Sequence, residues 1–306
     1  MLLAPSTGGV RLILADDDSG IFLIGTGVGD PSMMPVKGVE LAKECEYRFL
    51  EGYTSLLGEN GMAKLQKMVG EFEILRRSSI ESPSRIIEMA KKAKVAILVV
   101  GDPLQATTHA DLILHAIENN IPYKIVHATS VTTVVSGGLG LQSYKFGRQV
   151  TIAFPMGDYL PTSPIEMACE NYENGLHTLV LLDLDPTGSG EVEPTPMTPK
   201  EAVEIIQKSV RKLKEDPPEY LVEELLGKDD LGAIIKCIKI NNRLQTPVEG
   251  WQAILCSNLG TENEQIVYGK LSSISRMGGE GIHCLVIPAN MHQMEEKALY
   301  AMHNKV

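Results

Sequence analysis

Short apolar runs alternate with amphipathic patterns along the first half of the chain. The apolar runs predict strands at residues 21–24, 47–50, 95–100 and 124–127. The intervening segments "VKGVELAKECE", "SPSRIIEMAKKA" and "HADLILHAIENN" have the spacing of helices. In the second of these, Ser82 suits an N-cap and Pro83 a first helical position. This alternation predicts a mainly parallel, helix-covered sheet, which binds ligands at the carboxyl ends of its strands.

The second half predicts a mixed sheet. Strand patterns cover residues 149–154, 177–184, 251–256, 265–271 and 283–287. No helical pattern separates the third of these from the fourth, so we expect an antiparallel pair there. "SPIEMACENYENG" and "PKEAVEIIQKSVRKLKED" predict helices, and "DPTGSGEVEPTPMTP" predicts a loop.

These patterns predict an α/β protein of two domains. We expect an N-terminal extension at residues 1–19 that is too acidic for a targeting segment. An N-terminal α/β domain with the parallel sheet follows at 20–128, and a C-terminal α/β domain with the mixed sheet at 129–306.

Composition narrows the function. The 306 residues are 43% hydrophobic and 22% charged, with a formal net charge of −11, which disfavours a nucleic-acid-coating role. The five cysteines are widely spaced and contain no C-x-x-C pair, which argues against a zinc site and for a reducing compartment. No apolar run approaches the ~20 residues of a membrane span. We therefore expect a cytoplasmic protein that binds neither membrane nor nucleic acid.

Two predicted strands of the parallel sheet run into the same tripeptide, Gly-Asp-Pro. The first lies in "GTGVGDP" and contains Asp30; the second opens "GDPLQATTH" and contains Asp102. The first loop departs from the dinucleotide fingerprint, because Asp30 occupies its third glycine position. Two carboxylates would repel a polyphosphate and suit a cation such as the sulfonium and amine of S-adenosylmethionine. The alternative is that each aspartate only starts a turn.

Three further residues lie where they could meet a ligand. His109 heads a predicted helix. No second metal-ligating side chain lies at a workable spacing from it, so the sequence predicts no metal site there. We interpret His109 as structural, with substrate contact as the alternative. Ser130 follows a strand and serves either a ligand or an N-cap. His283 opens a strand, where a satisfied structural histidine is the ordinary alternative to a ligand contact. The sequence identifies no general base and no catalytic nucleophile.

The chain resembles the diphthine synthases, methyltransferases of the tetrapyrrole-methylase-like superfamily. The resemblance rests on "LIGTGVGDP", "VVGDPLQATTHADLILHA", "GLQSYKFG", "NGLHTLVLLDL" and "GIHCLVIP". It implies a two-domain tetrapyrrole-methylase-like fold, a homodimer, and a cleft between the domains for S-adenosylmethionine. The implied reaction is repeated methylation of the 3-carboxy-3-aminopropyl-histidine on translation elongation factor 2, giving diphthine or its methyl ester in diphthamide synthesis.

The resemblance also implies eight cofactor-binding positions and no metal. They are Val28, Asp102, Gln105, Ser130, Val131, Leu182, Leu259 and His283. Gln105 occupies a position that is usually glycine in the family, which points to a backbone contact there. The alternatives are a tetrapyrrole methylase of the same superfamily, an NAD-dependent oxidoreductase built on the Gly25–Gly27 loop, or a non-catalytic cofactor sensor.

Overall fold

A computed structural model describes residues 18–58, 60–217 and 231–306. The predicted N-terminal extension lies outside the described residues except for residues 18 and 19. The chain divides into two compact units. The first ends at Ser130 and also contains Gly190–Glu193, and the second comprises Val131–Ser189 and Pro194–Val306. In the first unit, the returning segment is held by the Arg77 amide, which donates to the Gly190 carbonyl at 3.2 Å.

The first unit contains a five-stranded sheet whose strands are all parallel. Its strands are β1 (Gly20–Gly25), β2 (Tyr47–Glu51), β3 (Glu73–Leu75), β4 (Lys94–Val99) and β5 (Tyr123–Val126), in the order β3-β2-β4-β1-β5. Its helices are α1 (Val36–Glu44), α2 (Gly61–Val69), α3 (Arg77–Glu81), α4 (Ser84–Ala90) and α5 (Ala110–Glu118). The predicted parallel, helix-covered sheet is therefore confirmed.

Alternate residues of β1 and β4 point to opposite faces of this sheet, and each face has its own core. Phe22, Ile24 and Leu98 pack in one cluster with residues of α1 and α2. Ile21, Leu23 and Ile97 pack in another with residues of α4 and α5. Because both faces are covered, the strands read as continuous apolar runs in the sequence.

The second unit contains a six-stranded mixed sheet in the order β11-β9-β8-β10-β7-β6. Its strands are β6 (Val150–Ile152), β7 (Thr178–Leu182), β8 (Gln252–Ser257), β9 (Gln265–Lys270), β10 (His283–Ile287) and β11 (Asn304–Lys305). The β8–β9 pair is antiparallel, as predicted, whereas β6 runs parallel to β7. The predicted mixed sheet is confirmed.

Six helices are described in the second unit. They are α6 (Val131–Gly138), α7 (Ser163–Glu173), α8 (Pro199–Glu215), α9 (Leu231–Leu244), α10 (Leu271–Ile274) and α11 (Gln293–Met302). Four of them, α7 to α10, contribute side chains to the core beside this sheet. The predicted helix α8 begins with a capping box in which Thr198 and Glu201 each satisfy a backbone amide of the other. Its apolar stripe, including Ile206 and Val210, enters a core that contains Trp251.

One predicted helix start is wrong. Ser82 does not cap α4; it ends α3, and its amide donates to the Ser78 carbonyl. The N-cap of α4 is Pro83, which makes no side-chain capping bond. The Ser-Pro pair therefore forms the junction between two short helices rather than a single helix start.

Candidate functional site

The glycine loops that follow β1 and β4 meet at the carboxyl edge of the parallel sheet. The Gly27 amide donates to the Gly101 carbonyl at 3.3 Å, and the Gly101 amide donates to the Gly27 carbonyl at 2.9 Å. Both residues have φ in the left-handed region, at +80° and +85°. A Cβ on Gly25 would lie 2.6 Å from the Gly101 oxygen. Glycine is required here because the two backbones approach so closely.

This edge is a topological switch point. β1 leads into α1 on one face of the sheet, and the adjacent strand β4 leads into α5 on the other face. Open α/β sheets bind ligands in the crevice between two such strands, outside their carboxyl ends. The crevice between β1 and β4 is the place that this sheet offers to a ligand in the first unit.

Asp30 is already paired with protein groups. Its carboxylate accepts hydrogen bonds from the Ser32 amide and hydroxyl, each at 2.7 Å, and from Lys64 Nζ at 2.8 Å. The bond from Lys64 is the largest cause that lowers the pKa of Asp30 to about 2, with the Ser32 bonds acting in the same direction. Asp30 caps the 3-10 turn Pro31–Met33, and its charge is neutralised by Lys64.

Asp102 joins the ends of two strands. One carboxylate oxygen accepts from the Leu104 amide at 3.0 Å; the other accepts from the Ala128 amide at 3.1 Å and lies 2.9 Å from His127 Nδ1. Asp102 is 5% exposed. Both aspartates thus bond the amide two residues on, so the turn-forming role is observed at each corner. A contact between Asp102 and a cofactor stays a prediction.

The other predicted residues of the first unit lie at the same edge. Val28 is half-buried between Gly27 and Gly29, both with positive φ. Gln105 is exposed, and its amide donates to the Asp102 carbonyl at 3.3 Å. Ser130 is buried and follows β5. Val28, Asp102, Gln105 and Ser130, all predicted cofactor-binding positions, therefore lie at one sheet edge.

His109 fastens the second loop from inside. The ring is fully buried, and its Nδ1 lies 3.0 Å from the Pro103 carbonyl, which also accepts from the Thr107 hydroxyl at 2.9 Å. A carbonyl can only accept, so Nδ1 carries the proton. Nε2 is buried with no hydrogen-bond partner, and the ring makes an edge contact with Tyr53. The structure gives His109 a structural role.

Three predicted residues meet at one edge of the mixed sheet. Strands β7 and β8 both run antiparallel to β10, so their carboxyl ends lie at the edge where β10 begins. Leu182 is the last residue of β7, His283 the first of β10, and Leu259 follows the end of β8. Val131, in the same unit, is the half-buried first residue of α6.

The buried side chain of His283 belongs to the first pair of strand β10. Its Nδ1 lies 2.8 Å from the hydroxyl of Ser257, the residue opposite it on β8. Burial lowers the pKa of His283, against an opposing hydrogen bond to the Gly279 backbone. The imidazole is therefore neutral at physiological pH and offers shape and a hydrogen bond rather than charge.

Two residues that shape this edge were missed from the sequence. The Asp183 carboxylate accepts from the amides of Phe154, Leu184 and Asp185 at 2.8–3.1 Å. Asn258 bonds the backbone of Ile282 through both its amide and its side chain. The available signal was their position, since each polar residue directly follows an apolar strand.

Metal ligands, membrane-spanning helices and accessible thiols are the remaining features of the described residues that bear on function. No group of three or more histidine, cysteine, aspartate or glutamate side chains there is arranged to hold a metal ion. No helix among the same residues has the length and apolarity that crossing a membrane requires. All five cysteines are buried free thiols.

Comparisons with known proteins converge on one group. Residues 20–275 match the family model of the tetrapyrrole (corrin/porphyrin) methylases. A diphthine synthase of Methanocaldococcus jannaschii is 32% identical over 91% of this chain and 97% of its own length. A diphthine methyl ester synthase of Homo sapiens is 33% identical over 91% of this chain and 93% of its own. A crystal structure of a diphthine synthase superposes with a TM-score of 0.72 at 26% identity, covering 92% of this chain and 95% of that one.

Proposed function

We propose a reaction for this chain on the premise that it belongs to the tetrapyrrole (corrin/porphyrin) methylase family. Its relatives from archaea and eukaryotes are diphthine synthases and diphthine methyl ester synthases that it matches over nearly their full length. The chain is a methyltransferase of this kind. Agreement along the whole chain, rather than in one motif, is the observation that carries this conclusion.

The acceptor that we propose is the 3-carboxy-3-aminopropyl-histidine on translation elongation factor 2. The names of the relatives support it, because diphthine is the methylated form of that modified histidine. The amine attacks a methyl group and must therefore be neutral. Successive transfers to the amine give diphthine, and attack by the carboxylate of the same side chain on a further methyl group gives the methyl ester.

The methyl donor that we propose is S-adenosylmethionine, which supplies an activated methyl group on a sulfonium. Two features of the parallel sheet's carboxyl edge fit a bound molecule. A Cβ on Gly101 would meet no heavy atom within 4 Å, so there is open space beside its backbone. The Thr26 hydroxyl is buried at the end of β1 without a hydrogen-bond partner.

The residues that would hold the donor are the eight already named. In the first unit Val28, Gln105 and Ser130 offer mainly backbone groups and a hydroxyl, and Asp102 offers the negative charge. The carboxylate of Asp102 lies 2.9 Å from His127 Nδ1, rather than beside a lysine as that of Asp30 does. In the second unit the positions are Val131, Leu182, Leu259 and His283. The chain's own contribution is to orient the amine and exclude water, which suits in-line methyl transfer.

We further propose that the protein works as a homodimer in the cytoplasm. The five buried free thiols support a reducing compartment. The docking of an acidic chain, with a formal net charge of −11, onto its protein substrate then depends on local patches and shape rather than overall charge.

Ligand-dependent thermal stability tests the donor and separates the alternatives. A ligand that binds only the native state raises the melting temperature, by an amount that grows with the logarithm of its concentration relative to its dissociation constant. We expect S-adenosylhomocysteine to raise it, and NAD and a porphyrin to leave it unchanged. Stabilisation by NAD without stabilisation by S-adenosylhomocysteine would point to the oxidoreductase alternative, and stabilisation by the porphyrin to a tetrapyrrole methylase.

A further inference from the structure

A tight turn follows strand β6 in the second unit. The backbones of Met156 and Tyr159 bond each other in both directions, at 3.1 and 3.0 Å. Gly157 lies at the tip with φ of +58°. We call the four residues 156–159 the β6 turn.

The β6 turn presents two large side chains to solvent. Met156 is 58% exposed and Tyr159 is 67% exposed. Methionine and tyrosine are enriched at the centres of protein interfaces, because each offers a large apolar surface that can adapt or hydrogen-bond at its end. Their pairing on one short turn is the pattern of a contact surface.

Hydrogen bonds and a side-chain contact with the segment after β7 hold the β6 turn in place. Asp183 accepts from the Phe154 amide with one carboxylate oxygen and from the Leu184 and Asp185 amides with the other, so it joins the segments after β6 and β7. Met156 also lies against the loop at Gly188, where an added Cβ would be 3.1 Å from its sulfur. A contact surface that is already ordered loses less entropy on binding.

The turn leaves the sheet beside a proposed cofactor position. β6 and β7 are parallel and in register, with Ile152 paired to Leu182 as the last residue of each strand. The segment carrying Met156 and Tyr159 therefore starts at the same sheet edge as Leu182, Leu259 and His283. If the methyl acceptor is a side chain of a protein, the surface around that side chain must approach this sheet edge.

We propose that the β6 turn is a docking element for the protein substrate, with Met156 and Tyr159 in contact with the folded surface around the modified histidine. This rests on the proposed function, since a small-molecule acceptor would bring no such surface. The two side chains set affinity for the protein acceptor and take no part in the chemistry or in donor binding.

The test compares the double variant Met156→Ala/Tyr159→Ala with a matched pair elsewhere in the second unit. Met294 and Tyr144 are 61% and 77% exposed, and both lie toward the opposite edge, since Tyr144 precedes β6 and Met294 follows β10. Methyl transfer to elongation factor 2 is measured as kcat and KM, and affinity for S-adenosylhomocysteine by calorimetry.

For the β6-turn variant we expect kcat/KM for elongation factor 2 to fall about 10- to 100-fold through KM, as for the loss of interface hot spots. S-adenosylhomocysteine should bind as tightly as to the unmodified protein. The Met294→Ala/Tyr144→Ala control should keep its kcat/KM within about 2-fold, as expected for residues outside the interface. Met156→Leu/Tyr159→Phe, which preserves apolar area, should recover most of the loss.

Either of two results would overturn the docking role: an unchanged kcat/KM in the β6-turn variant, or an equal loss in the control. A loss confined to kcat, or accompanied by weaker S-adenosylhomocysteine binding, would also contradict it. If the wild-type methyltransferase transfers no methyl group to elongation factor 2, the proposed function is overturned, and the docking role with it.

Discussion

At the scale of single residues, the buried side chain of His109 holds the loop after β4 in place through one hydrogen bond. Its protonated Nδ1 bonds the Pro103 carbonyl from below, in the loop that contains Asp102 and Gln105. The sequence predicted its place at the head of a helix but not this bond, because a capping role and a tether give the same local pattern. Nε2 has no hydrogen-bond partner among the described residues, so the ring bonds the loop through Nδ1 alone.

We expect His109→Leu to weaken S-adenosylhomocysteine binding about fivefold, because the lost hydrogen bond that holds the loop is worth about 1 kcal/mol. His109→Asn can keep an N–H donor near the Nδ1 position and should retain most of the affinity. Calorimetry measures both, beside a melting curve for each variant. Equal affinities for Leu and Asn would refute the tether.

The same substitution should destabilise the two Gly-Asp-Pro corners by different amounts. Asp102→Asn would turn an amide N–H toward a buried donor, either the Leu104 or the Ala128 amide, and should cost about 1–3 kcal/mol of unfolding free energy. Asp30→Asn loses an ion pair with a lysine that is 45% exposed, which is worth about 1 kcal/mol at most. Urea denaturation compares them. An Asp30 variant less stable than the Asp102 variant would contradict the assignment.

At the scale of elements, the start of α11 is fastened by one carboxylate. Glu295 is 1% exposed and accepts from the Gln142 amide, Lys145 Nζ, the His292 amide and His177 Nε2 at 2.7–3.2 Å. His177 Nδ1 accepts from the Ala289 amide, so its proton lies on Nε2, toward Glu295. Helix α11, the turn before β6 and the start of β7 are thereby joined.

This arrangement predicts a pH-dependent stability. Burial alone would raise the pKa of Glu295, but the bonds from Lys145, Gln142, His292 and His177 lower it from 4.5 to about 2. A lowered pKa means that the contribution is complete above pH 4.5 and is lost as the pH falls toward 2.

We expect Glu295→Gln to cost about 3 kcal/mol of unfolding free energy at pH 7, as for a broken buried pair. The gap from the unmodified protein should narrow as the pH falls from 4.5 toward 2. Glu296→Gln, exposed on the same helical turn, is the control and should stay within about 0.5 kcal/mol. Denaturation at several pH values measures both; a gap that stays constant across this range would rule out the ionised carboxylate as its source.

Helices and strands with a clear hydrophobic period or a marked end were predicted from the sequence, and those without either were missed. The strand predicted at residues 283–287 matches β10, and the capping box of α8 is plain in the sequence. Helix α2 was missed because it begins at Gly61 after an Asn60 that makes no capping bond, so nothing marks its start. Strand β3, Glu73–Leu75, is too short to show a period.

At the scale of the whole molecule, the sequence indicated the sheet edges where the predicted residues lie but not the hydrogen bonds that their side chains make. The resemblance named most of these residues, and the structure places Val28, Asp102, Gln105 and Ser130 at one sheet edge and Leu182, Leu259 and His283 at another. The bonds of Asp102 to His127 and Ala128 join residues about 25 positions apart, which no local pattern reveals. The family resemblance supplied the reaction, and the comparisons support it.

The most direct test of the account is methyl transfer to the protein acceptor. The chain is incubated with labelled S-adenosylmethionine and elongation factor 2 that carries the unmethylated 3-carboxy-3-aminopropyl-histidine, and the label is located by peptide mass spectrometry. We predict label on that modified histidine and none on elongation factor 2 that lacks the modification. Label that never enters elongation factor 2, or that enters a porphyrinogen supplied in its place, would contradict it.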